Sequence, residues 1–477
     1  MAFVLILFPL AMAGLALIIP SNRWRPLVLP MTALVHSSGT LAVLIRPEWG
    51  SRTSWLVLDP VGALILLSVS TLFLFSSFYA VGYLKYRQER SNRIFTACMS
   101  AFLGLISLAI WSHHLGLMWV AIEGTTLVTA PLIYFNHSPR SIEATWKYLL
   151  VGSVGIALAL LGTFFLAYSS MQGGFQATLT FEDLLHNAPG MSKTWLRASF
   201  ILLLVGYGTK MGLAPMHTWK PDAYGEAPGI VGAIFAGGVT SGAFLALMRI
   251  YQICNAAGES LFTSRLLIFM GLFSMAVAGI FMVSQRDFKR MLAYSSVEHM
   301  GILVLGLGIG APALYGTLLH VVTNAMTKGV LFLSAGNIHR AYASKNTEQV
   351  QGALRRLPLS GALFLAGFLA ITGSPPFGPF ISEFSILNGA FTAGKFISGG
   401  LFLGLLLVVF IGMGITVLKV VQGRVPHDIE GSDYRDSFLT VAPAFAFMAI
   451  VLLLGCYIPP ALQTMLDKAV QFLGNQP

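Results

Sequence analysis

A few ionisable side chains stand where their surroundings in the sequence are almost wholly apolar. In "SFILLLVGYGTKMGLAPMHTWKPD", Ser199 to Asp222, Lys210 lies deep in a hydrophobic run with Pro215 five residues after it. Glu123 stands alone in "WVAIEGTTLV", and Glu383 follows the proline-rich break in "SPPFGPFISEF". In "LLHVVTNAMTKGVLFL", His320, Asn324 and Lys328 recur at i, i+4 and i+8, so on a helix they form one stripe on one face, with Thr323 and Thr327 beside it. Amines, carboxylates and an imidazole are proton carriers, the imidazole titrating nearest neutrality. No nucleophile–base set, nucleotide loop or metal-ligand spacing accompanies them, so a stand-alone enzyme is not the expectation.

The elements that must position these groups are set by composition. Hydrophobic residues make up 56% of the 477 and charged residues 10%, with a mean hydropathy of +0.76. A soluble globular chain carries about 25% charged residues. Apolar runs long enough to cross a bilayer recur throughout. The expectation is an all-α polytopic membrane protein with fourteen transmembrane helices at 2–20, 26–45, 60–84, 94–111, 115–135, 145–169, 198–219, 229–251, 264–284, 293–310, 312–334, 359–393, 399–422 and 437–460. The opening segment lacks the positive start of a signal peptide and is read as the first helix. Loops after odd-numbered spans hold 19 Lys and Arg against 8 on the other side, leaving Lys210 and Lys328 inside spans. The bias predicts odd loops in the cytoplasm and both termini outside. The net charge of +10 is thereby a topology signal, not a nucleic-acid surface. Cys98, Cys254 and Cys456 are scattered and form no C-x-x-C, so no metal or other cofactor is expected on this chain.

No segment is long enough for a soluble domain, and residues 1–477 are read as one membrane domain. It comprises N-terminal helices (2–84), a first repeat (94–251), a second repeat (264–422) and a last helix (437–460). Spans seven and twelve are broken, by "KMGLAP" and "SPPFG". Five helices separate them, so two five-helix units, spans 4–8 and 9–13, must run in opposite senses, as in transporters built from inverted repeats.

At about 1.5 Å rise per residue, Lys210 lies roughly 18 Å and Glu123 roughly 12 Å into its span. Both are near the middle of a hydrocarbon layer about 30 Å thick. A lone charge there costs about 2.5–3.5 kcal/mol on insertion scales. Their opposite signs predict an ion pair, either a valve that opens and closes on a proton or a static clasp between two helices. The His320–Lys328 stripe reads as a proton wire or as interhelical hydrogen bonding. Among the supporting residues, His217 with Trp219 is expected to fix the break in span seven by hydrogen bonding. Glu298 and His299 either admit protons or cap a helix. The pair His113–His114 reads as an interface or entrance feature.

The segment "PMHTWKPDAYGEAP", Pro215 to Pro228, resembles the P-x-H-x-W-x-P-D-A-x-x-x-A-P signature of the antiporter-like subunits of respiratory complex I and its relatives. "RDFKRMLAYSS" (286–296) and "FGPFISEF" (377–384) agree with it, and the resemblance extends over essentially the whole chain. "IEATWKYLLVGSVGIALALLGT" (142–163) and "AYSSVEHMGI" (293–302) are most similar to the F-type membrane component of hydrogenase-4 complexes. The resemblance implies proton transfer through Glu123, Lys210, Ser241, His320, Lys328 and Glu383, supported by His217, Asp222, Glu298, His299 and Asn324. It implies no cofactor on this chain, with iron–sulfur, nickel–iron, flavin or quinone centres in partner subunits. Those partners would be other antiporter-like subunits and the quinone- or hydrogenase-module anchors, in a prokaryotic inner membrane. Two departures stand out: Ser241 occupies the place where many members carry a lysine, eight residues before Arg249, and Asn324 stands where some carry a second histidine. The last span lies close to the end of the sequence, so the long lateral helix of the largest relatives is not expected. Alternatives are a subunit of a multisubunit Na⁺/H⁺ antiporter, an ion-coupled inorganic-carbon uptake system, and a non-conducting scaffold.

Overall fold

The computed structural model describes residues 1–50, 53–87, 89–425 and 433–474; Arg52, one of the basic loop residues counted above, lies outside them. Helix accounts for 81% of the chain, and no strand occurs among the described residues. Chain order begins with α1 (Ala2–Ile18), α2 (Val28–Ile45), α3 (Pro60–Lys85), α4 (Arg93–Trp111), α5 (Leu115–Ile133) and α6 (Pro139–Gln172). It continues with α7 (Phe181–Asn187), α8 (Lys193–Met211), α9 (Trp219–Glu226), α10 (Gly229–Ile234), α11 (Thr240–Ala256), α12 (Ser260–Val283) and α13 (Phe288–Ile309). The last are α14 (Ala311–Tyr342), α15 (Ala353–Arg356), α16 (Pro358–Ile371), α17 (Gly378–Thr392), α18 (Phe396–Val421), α19 (Phe438–Cys456) and α20 (Pro460–Gly474).

Helix is what an apolar chain must form in lipid, where each backbone polar group needs an internal partner. Among the described residues, eleven helices are long and apolar enough to cross a membrane. The other three expected spans fall on α1, which has 17 residues, on α8, which stops at Met211, and on the pair α16 and α17 on either side of the "SPPFG" break. Two features are not legible in the sequence. A π-helical turn, Phe235–Val239, joins α10 to α11, and α20 folds back so that Leu462, Leu466, Ala469 and Leu473 are buried.

Burial sorts the helices. Gly229–Ala256, α13 and α14 are 100% buried over their apolar windows, whereas α18 is 33% buried and shows lipid a row of large apolar side chains. Close approach between helices rests on small residues, as is usual where both surroundings and contacts are apolar. A Cβ on Gly206 would lie 2.6 Å from the Ala159 backbone nitrogen, which brings α8 into backbone contact with α6. On Gly316 it would lie 2.8 Å from the Ser382 carbonyl, which seats α14 on α17.

One ion-pair network anchors this bundle at an end. Asp59, the N-cap of α3, accepts from the Gly62 N–H at 2.5 Å and from Arg249 Nε and Nη2 at 3.0 and 2.7 Å, with His113 Nε2 at 3.1 Å. Arg249 also donates to the carbonyls of Ser112 and Ile110. His113 is therefore a buried structural partner, not an entrance, and His114 caps α5 by accepting from the Leu117 N–H. Burial pushes the Asp59 carboxyl up, but the Arg249 guanidinium, His113 and the Gly62 N–H together hold it well below the usual carboxylate range. A depressed carboxylate contributes stability that is complete above its unfolded value of about 4 and is lost as pH falls through the folded one. Asp59→Asn, which strands Arg249, is expected to destabilise the fold by about 3–5 kcal/mol. A clear drop in the thermal midpoint of the detergent-solubilised protein checks it, and an unchanged midpoint would refute the counter-charge role.

Candidate functional site

The expected pairing of Glu123 with Lys210 is indirect. Lys210, the penultimate residue of α8, is buried, and its Nζ donates to Thr126 Oγ1 and, at 3.2 Å, to the Tyr148 hydroxyl. Thr126 in turn donates to Glu123 Oε2 at 2.9 Å, and Ser153 donates to Oε1 at 3.2 Å. The reason is geometric: Thr126 is one helical turn from Glu123 on α5 and faces α8, whereas Glu123 turns toward Ser153 and remains partly exposed. The result is a donor chain of uniform polarity, ammonium to hydroxyl to carboxylate. Tyr148 completes it, its ring 5.0 Å from Lys210 Nζ and its hydroxyl 2.8 Å from Thr129 Oγ1.

The helix break after Lys210 is built as "KMGLAP" suggested. Gly212 takes a left-handed φ of 77° and ends α8, and Trp219 Nε1 donates to the Thr209 carbonyl at 2.9 Å. His217 takes no part in fixing the break by its Nδ1, which has no hydrogen-bond partner, and its ring packs near Phe281 and Tyr294. Asp222 is also not in the buried line. It forms ion pairs with Lys147 on α6 (2.8 Å) and Arg290 on α13 (3.0 Å), and so pins α9 between them.

A second group gathers where α13, α14 and α17 meet. Lys328 donates to Ser295 Oγ at 2.7 Å. His320 lies between Ser382 Oγ, 2.9 Å from its Nδ1, and His299 Nδ1, 3.0 Å from its Nε2. Ser382 gives its own proton to the Pro379 carbonyl at 2.9 Å, so it accepts from His320 Nδ1–H. His320 Nε2 must then accept from His299 Nδ1–H, which leaves the bare Nε2 of His299 facing Glu298 Oε2 at 3.1 Å. Two lone pairs at that distance repel unless one proton lies between them, so Glu298 and His299 hold a proton jointly. Neither is a helix cap. Glu383, beside Ser382, packs onto the second break, where a Cβ on left-handed Gly373 would lie 2.2 Å from its Oε2. Its Oε1 has no hydrogen-bond partner, and it borders a surface cavity of about 270 Å³ walled by Phe380, Phe384 and Leu407. His299, His320 and Glu383 offer ligand atoms within 4.8 Å of one another. Lys328 lies within electrostatic reach of both rings, which disfavours a metal cation there. Asn324 is buried in the same stripe with its Oδ1 unpartnered.

Ser241 stays apart from both groups. It is buried, and its hydroxyl donates to the Gly237 carbonyl of its own helix at 2.9 Å. Sequence reasoning missed Lys220 and Lys289, which it counted as loop lysines. Both are buried, Lys220 donating to the carbonyls of Met211 (2.6 Å) and Ser296 (3.2 Å), and Lys289 to those of Gly225 (2.9 Å) and Ala227 (2.6 Å). The available signal was the placement of Lys220 directly after a helix break, where carbonyls are set free.

Residues 112–411 match the family described as NADH:quinone oxidoreductase/Mrp antiporter, TM. The chain belongs to this family. It is 32% identical over 471 residues to a hydrogenase-4 component F homolog of Methylacidiphilum infernorum, covering 96% of this chain and 97% of that one. It is 33% identical over 392 residues to NADH-quinone oxidoreductase subunit N of Desulforudis audaxviator, covering 78% and 76%. Its fold matches a chain of the Mrp complex from Dietzia sp. with a TM-score of 0.86 at 19% identity, over 100% of this chain and 97% of that one. Both groups of buried side chains fall within the matched region. In this family member, Thr126→Val keeps the shape of the side chain and removes the one hydroxyl joining Lys210 to Glu123. A hydrogen bond to a charged group is worth about 1.5–3 kcal/mol, so proton transfer by the assembled complex is expected to slow at least about tenfold. Thr126→Ser should retain the rate, both read as acidification of inverted vesicles.

Proposed function

We propose that this chain is a proton-translocating, antiporter-like membrane subunit of a hydrogenase-4-like or complex I-like redox complex. It would couple redox chemistry in partner subunits to proton transfer. The observation that supports this best is the buried series of exchangeable groups in the bundle interior: Lys210 with Thr126 and Tyr148, then Lys328 with Ser295, then Glu298, His299 and His320, then Glu383. Amines and imidazoles outnumber oxygens there, which favours H⁺ over Na⁺. Glu123 is the input. It is partly exposed on the lateral face of α5, where a neighbouring membrane subunit can move or neutralise it. When Glu123 swings away, the Thr126 bridge loses its acceptor and Lys210 passes its proton inward. Ser241 with water would line the middle of the route, Asn324 would hold water between His320 and Lys328, and Glu383 would deliver the proton to the far side.

The full architecture belongs to the same proposal. It has fourteen spans, two inverted five-helix repeats with the breaks at Gly212 and Gly373, both termini on the outer face, and a prokaryotic inner membrane as its setting. The chain would hold no cofactor, and the redox centres would lie in hydrogenase- or dehydrogenase-type partners. The fold likeness to a chain of an Mrp complex supports a second reading, a subunit of a Na⁺/H⁺ antiporter assembly. Proton uptake by vesicles holding the whole complex distinguishes these. Lys210→Met should abolish uptake with assembly intact, and uptake in wild type should follow the redox reaction without requiring Na⁺. Full pumping in Lys210→Met would leave the chain a scaffold, and uptake driven by a Na⁺ gradient alone would favour the antiporter.

A further inference from the structure

Between the Lys210 group and the Lys328 group stands a third lysine that no part of the relay above employs. Lys220 is fully buried at the start of α9, just past the break. Its two acceptors belong one to each group: the carbonyl of Met211, the residue after Lys210, and the carbonyl of Ser296, the residue after the Ser295 that receives Lys328. No carboxylate lies within ion-pair distance of it among the described residues, so no counter-charge fixes its proton. Room for its side chain is made by the break itself, since a Cβ on Gly212 would lie 2.5 Å from its Cδ and 3.1 Å from its Nζ. The Tyr224 ring is 5.7 Å from Nζ. Nearby, the Tyr224 hydroxyl, Ser296 Oγ and Asn324 Oδ1 are buried without a protein hydrogen-bond partner. Buried polar atoms of this kind are ordinarily satisfied by ordered water, and water is what a proton needs to cross between amines too far apart to touch.

We infer that Lys220 is a proton carrier in this chain, the central amine between Lys210 and Lys328, in place of a lysine at Ser241. The inference rests on the proton-translocating reading above. The Lys210 ammonium gives a proton through water to the Lys220 amine and becomes an amine itself. Lys220 then gives that proton to the Lys328 amine and returns to its starting form. One proton and one positive charge move from nitrogen to nitrogen at each step, and no electron moves. The competing role is that of a fastener, a fixed ammonium that ties the freed carbonyls of the break together. Lys289 is such a fastener, bonded to two carbonyls at the start of α13 with no place between the two groups.

The test uses vesicles holding the whole complex, with assembly measured for every variant. An arginine keeps the charge and the donors but never releases its proton. Lys220→Arg and Lys220→Met should each lower proton uptake at least about tenfold, Lys289→Arg should pump as wild type, and Lys210→Met should not pump. Normal pumping by Lys220→Arg beside a dead Lys210→Met overturns the inference and leaves the proposed function standing. Equal losses in Lys220→Arg and Lys289→Arg also overturn it, because the bulk of the guanidinium is then the cause. So does failure of Lys220→Arg to assemble where Lys289→Arg assembles, which marks Lys220 as a fastener. Pumping by Lys210→Met removes the proton-translocating reading itself.

Discussion

A lysine ammonium inside a bilayer brings a charge and three N–H donors into a medium that offers no acceptor. Three buried lysines meet this constraint in the interior, and none does so by touching a carboxylate. Lys210 donates to two hydroxyls, Lys220 to two backbone carbonyls and Lys328 to one hydroxyl. Neutral oxygens hold an ammonium without locking it, since the amine left after proton loss can turn a lone pair to the same hydroxyl. The negative charge of Glu123 is felt through Thr126, so a small rotation of one hydroxyl changes what Lys210 sees.

Acceptors in the middle of a membrane have to come from somewhere, and here broken helices provide them. At each break a left-handed glycine ends one helix, Gly212 after α8 and Gly373 after α16, and a charged side chain fills the space that a Cβ would have taken. Lys220 occupies the first space and Glu383 the second. Glycine-mediated contacts at Gly206 and Gly316 hold the flanking helices at backbone distance, so these pockets have rigid walls. The two breaks thus repeat one solution with opposite charges.

The Asp59–Arg249–His113 network is the static counterpart. There a carboxylate receives a guanidinium, an imidazole and a backbone N–H, and the guanidinium is further tied to two carbonyls. Nothing in it is free to exchange. Along the interior line, by contrast, Glu298 Oε2, His299 Nε2, Asn324 Oδ1 and Glu383 Oε1 lack aligned protein partners. A closed network fastens, while an open one leaves positions for water and for protons.

Much of this was legible one-dimensionally because lipid imposes a local rule. Apolar runs must be helices, a charge inside one must face protein, and a proline or glycine inside one must mark a break. Lys210, Glu123, the His320–Lys328 stripe, Glu383 and both breaks follow from that rule without knowledge of neighbours. Identity at a distance does not. That Thr126 stands between Glu123 and Lys210, that His299 reaches His320, and that His113 is an anchor depend on which helix faces which. The same holds for Lys220, which on composition alone belongs to a polar loop. A side chain's role in a bilayer is decided by its partners, and only the packing of α6 on α8, of α9 on α13 and of α14 on α17 chooses them.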